Sequence, residues 1–112
     1  MKIWEKRQGE IVILSVEGRL DATTGAAFEQ QVAPMIEAGN KNILLDMAHL
    51  EYISSAALRR LLLLAKQAED AGGRIALLEI QSSILEIFEM AGFTYLFPIY
   101  MDQEEALRSF VK

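Results

Sequence analysis

Cysteine is absent from this chain of 112 residues, which excludes disulfide staples and thiolate chemistry and agrees with a reducing compartment. Histidine is nearly absent too. The single imidazole, His49, leaves no His-rich metal site and permits a Ser-His-Asp arrangement only if it is itself the base; it reads more simply as a polar loop or cap residue. Positive charge is scarce. Eleven Lys and Arg stand against 16 Asp and Glu, and the net charge of −5 is spread over both halves of the chain. No basic face is available to neutralise a phosphate backbone, so nucleic acid is not an expected partner. Long apolar runs are missing as well. The longest strongly apolar run, Leu61 to Ala65, falls far short of the ~20 residues that span a bilayer. The N-terminal MKIWEKRQGE places charges where a signal peptide needs an apolar core. A cytoplasmic location without membrane insertion is therefore expected. Neither G-x-G-x-x-G nor G-x-x-x-x-G-K-[ST] occurs, so the chain is expected to be no enzyme and to hold no cofactor or metal.

What is present is globular: 52% of residues are hydrophobic and 24% charged, in a length that suits one domain over residues 1–112. Lys2 to Arg7 and the β-branched run Ile11 to Val16 read as a hairpin. An amphipathic helix follows Asp21, with Phe28, Val32, Met35 and Ile36 on one face, a bend expected at Pro34 and a stop at Gly39. NILLDM, residues 42–47, is a strand covered on both faces. A second helix opens at Ser54-Ser55 and ends at Gly72-Gly73, and Arg74 to Ile80 is another buried strand. Ser82-Ser83 caps a third helix bearing Ile84, Ile87, Phe88 and Ala91 on one face, and Phe97 to Met101 forms a last strand. Asp102 with Glu105 is a capping-box pattern for a terminal helix. The order β-β-α-β-α-β-α-β-α predicts an α/β domain whose mixed sheet has parallel central strands, with a site beyond their carboxyl ends, where MAHLEYISSA lies.

Three segments resemble the STAS domain family (sulfate transporter and anti-sigma-factor antagonist). ILLDMAHLEYISSAALRRLL is similar to the family's strand, loop and Ser-rich helix start. EGRLDATTGAAFEQQ resembles its segment after the second strand, and ILEIFEMAGFTYLFPIYMDQEEAL its C-terminal region. The resemblance implies an anti-sigma-factor antagonist: a bacterial signalling module that binds an anti-sigma factor, often also a serine kinase, and is switched by phosphorylation. A phosphatase is the further partner that such a switch calls for. In the family the turn reads Asp-Ser-Ser/Thr-Gly-Leu, the first Ser being the acceptor. Here Ser55 matches that acceptor, Ser54 stands for the Asp, Ala56 for the second hydroxyl and Ala57 for the Gly. These departures favour a second expectation, a STAS subunit that docks constitutively in a transporter or signalling scaffold. A third is a STAS domain that senses a nucleotide or lipid.

Capping logic makes Ser54 the N-cap and leaves the Ser55 hydroxyl free in the first turn, although two serines serving only as cap and turn account for the pattern equally well. At about 100° per residue, Leu58, Leu61, Leu62 and Ala65 form the expected core stripe. Ser55, Arg59 and Leu63 form a second stripe turned away from it, the expected partner-binding strip with Ser54. Asp21 and Asp46 are expected at the same sheet end, as helix or turn caps or else as groups that orient the acceptor or hold a divalent ion; Asp21 is counted with the binding strip. The Ala57 methyl is expected to sit where a kinase must approach and to slow phosphorylation.

Overall fold

The computed structural model describes residues 1–111, with the backbone alone at Tyr95. Strand β1 (Lys2–Gln8) turns back at Gly9 into the ten-residue β2 (Ile11–Leu20), pairing antiparallel from Gln8↔Ile11 to Lys2↔Glu17. Helix α1 (Ala22–Glu37) contains Pro34, whose missing N–H removes one helical bond, and Gly39, at φ +102°, takes the left-handed conformation that stops it. Strand β3 (Asn42–Asp46) runs parallel to β2 and to β5 (Arg74–Leu78), and β5 is parallel to the two-residue β6 (Ile99–Tyr100). The sheet order is β1-β2-β3-β5-β6.

One strand differs from the expected order. Leu50–Ile53 forms β4, which also runs parallel to β2, with Leu20↔Ile53 as its last pair. After the turn at Ala48-His49, β4 continues β3 along the upper half of β2, with a register shift at Gly18/Arg19. Its Leu50 and Ile53 are buried while Glu51 and Tyr52 are exposed. This BeeB order lacks the alternation by which a strand shows itself in sequence.

The main core lies between the sheet and the helices α1, α2 (Ser55–Asp70) and α3 (Ser82–Ala91), with Val12, Leu14, Ile43, Leu45, Ile75 and Leu77 on the sheet side. The opposite face is covered by the short α4 (Gln103–Arg108) and the turn after it, where Ala106 and Leu107 of the helix and Phe110 of the turn pack on Ile11, Ile13, Leu44, Ala76 and Leu78. Asp102 caps α4 through Glu105 N–H.

Two helix readings need correction. The core stripe of α2 is Ala57, Leu58, Leu61, Leu64 and Ala68, with Leu62 and Ala65 only half-buried at its margin. The run of four leucines satisfies two neighbouring stripes by composition, and packing into the main core selects the one containing Leu64. The N-cap of α3 is Gln81 rather than Ser82 or Ser83, and its Nε2 donates to Ala48 O at 2.8 Å, tying α3 to the β3–β4 turn. Ala91 is exposed, whereas Phe88 is fully buried and meets Phe97 edge-on, with ring centroids 5.7 Å apart.

Candidate functional site

Strands β2 and β4 end side by side, and each passes directly into a helix. Leu20 leads to Asp21, the N-cap of α1, and Ile53 leads to Ser54, the N-cap of α2. Ser54 N–H donates to Leu20 O at 2.8 Å, so the inter-strand ladder continues by one rung into the helix start. Both helices therefore begin at the carboxyl end of the sheet, where sequence logic places the site.

Ser54 has the extended backbone of an N-cap, and its Oγ accepts from Ala57 N–H at 3.1 Å. Ser55 occupies the first helical position and is exposed, and its Oγ has no hydrogen-bond partner among the described residues. One turn on, Arg59 is exposed, and after another turn Leu63 is 54% exposed. Ser55, Arg59 and Leu63 line one shallow open groove with Ala56 and Arg60. Arg60 is engaged by Glu29 of α1 at 2.7 Å, a pairing that sequence spacing does not reveal, because the partners lie 31 residues apart. No ion-pair partner of Arg59 is present among the described residues. The expected strip is thus brought together, with a cation between hydroxyl and leucine.

Asp21 lies at the neighbouring helix start, as expected, but its carboxylate is turned to its own helix. Oδ1 accepts from Thr23 and Thr24 N–H, each at 3.0 Å, and Thr24 Oγ1 accepts from Asp21 N–H at 2.8 Å, completing a capping box. The bonds from Thr24 N–H and then from its hydroxyl hold the Asp21 carboxyl below its ordinary pKa. The Thr23 N–H and the Arg19 charge add to this, while partial desolvation opposes it. Asp46 likewise serves the backbone: Oδ1 accepts from Ala48 N–H at 3.0 Å in the turn after β3. Neither carboxylate contacts Ser55 among the described residues, and no cluster of three or more metal-ligating side chains occurs there. His49 is an exposed residue of the same turn, and its carbonyl accepts from Gly18 N–H at 3.1 Å.

The reading of Ala57 is overturned. Its side chain is 3% exposed and points into the α1–α2 interface, where a Cβ built on Gly25 would lie 2.9 Å from the Ala57 methyl. The methyl fills space inside the domain and obstructs no approach from outside. Tyr52, read from the sequence only as part of a loop, stands on β4 with the Arg19 guanidinium 4.2 Å from its ring centroid, at the same end of the sheet.

Among the described residues no helix is long and apolar enough to cross a membrane. A family model described as the STAS domain matches residues 3–106. The chain is 32% identical over 110 residues, 98% of its length and 95% of the relative's, to BtrV of Bordetella bronchiseptica, which bears the name of an anti-sigma factor antagonist. A Thermotoga maritima protein solved under the same description superposes with a TM-score of 0.93 at 21% identity, covering 98% of this chain and 95% of that one. The Bacillus cell fate determinant SpoIIAA in its phosphorylated form gives 0.76 at 19% identity, covering 96% and 98%. Its unphosphorylated form gives 0.75 at 20%, covering 96% of each.

Proposed function

Because the chain belongs to the STAS domain family, we propose that it is an anti-sigma-factor antagonist that docks through the start of α2 and is switched by a phosphate on Ser55. The name of the full-length relative supports the partner class. The observation that carries the switch is the division of labour at the helix start: Ser54 Oγ is committed to Ala57 N–H, and the exposed Ser55 beside it is available to a kinase. A phosphate there lies at the positive end of the α2 dipole, one turn from Arg59, so the fold tolerates it. SpoIIAA keeps this fold with and without phosphate.

The surface is what changes. About −1.5 to −2 charges arrive in a groove whose unpaired charge was the Arg59 cation, replacing attraction for an acidic partner group with repulsion. The partner docks on Ser54, Ser55, Arg59 and Leu63, with Asp21 at the margin of the face. The anti-sigma factor is itself the serine kinase, a phosphatase restores the binding form, and the domain works in the cytoplasm as substrate and ligand rather than as enzyme.

The test is a calorimetric titration against the anti-sigma factor encoded with this chain, joined to mass spectrometry after incubation with that protein and ATP. Phosphate is expected on Ser55. Ser55→Ala should bind constitutively, and Ser55→Asp at least tenfold more weakly. Leu63→Glu should lose binding while its stability stays within about 0.5 kcal/mol of wild type. Equal affinity of the two Ser55 variants would sink the switch and leave the constitutively docking subunit as the reading.

A further inference from the structure

The groove at Ser55 does not end at Leu63. A second open groove shares that leucine and continues toward the far end of α2, lined by Leu62, Lys66 and Asp70 and closed on its other side by Leu96 of the 3-10 turn Thr94–Leu96. Leu96 is 41% exposed, so two exposed leucines from different elements face one channel.

The charges along this channel have an order. Arg59 and Lys66 come first, neither with an ion-pair partner among the described residues, and Glu69 and Asp70, both exposed, come last. From Arg59 to Asp70 the helix advances about 16 Å at 1.5 Å per residue. That order is the reverse of what α2 needs for its own stability, because helices favour acids near the N-terminus and bases near the C-terminus. Here the first turn has no acidic residue and the last no basic one. Lys66 also precedes Asp70, the weaker orientation for a pair at i, i+4. Helix stability does not account for the arrangement, whereas recognition of a charged ligand does.

We propose that the docking face runs the whole length of α2 and receives one amphipathic helix of the anti-sigma factor. That helix is about three to four turns long, acidic over Arg59 and Lys66, apolar between Leu63 and Leu96, and basic over Glu69 and Asp70. The inference rests on the proposed docking at Ser55 and extends it: a phosphate on Ser55 acts on one end of the bound helix, and the opposite charges at the other end fix its direction.

The test uses the same calorimetric titration with three further proteins: Leu96→Ser, the pair Glu69→Lys with Asp70→Lys, and a control, Lys2→Glu, on β1. Leu96→Ser and the distal pair should each weaken binding about tenfold, and the control should bind as wild type. The distal pair should melt within a few degrees of wild type, because the gain against the helix dipole is offset by the new like charges beside Lys66; weaker binding by an equally stable protein separates recognition from damage. A uniformly acidic partner would bind the distal pair more tightly, and that result would overturn the proposal, as would unchanged affinity of both variants. If Leu63→Glu loses binding while the distal variants keep it, the extension alone falls. If Leu63→Glu binds as wild type, the docking face itself is wrong and both readings fall.

Discussion

Ser54 and Ser55 are chemically identical and one peptide bond apart, yet the structure assigns them different energies. Ser54→Ala removes the bond to Ala57 N–H and should cost about 1 kcal/mol, within the 0.5–2 kcal/mol range for N-caps, whereas Ser55→Ala should stay within about 0.5 kcal/mol. Urea unfolding of the two variants measures the difference, and equal losses would mean that both hydroxyls serve the fold. Asp21 makes a prediction of another kind. Its carboxyl is held below the ordinary 3.8, so its contribution to stability is full above that value and is lost as the pH falls through the lowered one. Asn caps helices as well as Asp but does not titrate, so Asp21→Asn should retain its melting temperature better than wild type as the pH is taken from 7 to about 3. A parallel decline of both proteins would place the acid sensitivity elsewhere. These assignments were largely legible in the sequence, since capping is local: the order of Ser54 and Ser55 and the role of Asp21 follow from side chains meeting backbone groups two or three residues away. The orientation of Ala57 was not, because it depends on α1.

That dependence on a partner element governs what sequence patterning could and could not show about the helices and strands. Periodicity located α1, α2 and α3, and the edge hairpin and the parallel central strands followed from the order of segments. It missed β4, whose two outward residues are consecutive, and it chose Leu62 over Leu64 in a helix where leucines occupy every position from 61 to 64. A contact that periodicity does not reveal is Gly25 against Ala57. Their closeness lets α1 and α2 meet almost backbone to backbone, and a methyl at Gly25 would come within 2.9 Å of the Ala57 Cβ and 3.1 Å of its Cα. Gly25→Ala would gain helix propensity of about 0.5–1 kcal/mol but incur overpacking of about 1–3 kcal/mol, so a net loss of about 1–2 kcal/mol is expected. Combining it with Ala57→Gly should recover part of that loss, and denaturation of the four proteins of this cycle measures the coupling. Strict additivity would mean that the helices shift apart and the contact is not rigid.

For the molecule as a whole, β2 is the common frame. It pairs with β1 along one edge and with β3 and then β4 along the other, and its last carbonyl accepts from Ser54 N–H. Three helices cover one face of the sheet, while only α4 packs on the other, so the start of α2 is anchored from the better-buried side. The consequence of that last rung appears on the clock of amide hydrogen exchange. The Ser54 amide is locked into a ladder that opens with the sheet, whereas Ser55 and Ala56 have the orphan N–H groups of a helix's first turn. Across one peptide bond, exchange in deuterated water should therefore pass from minutes or longer to nearly the rate of an unstructured chain. Partner binding should slow Ser55 and Ala56 by covering them and slow Ser54 only as far as it stabilises the fold as a whole, so adjacent protons would report separately on the occupancy of the surface and the integrity of the fold.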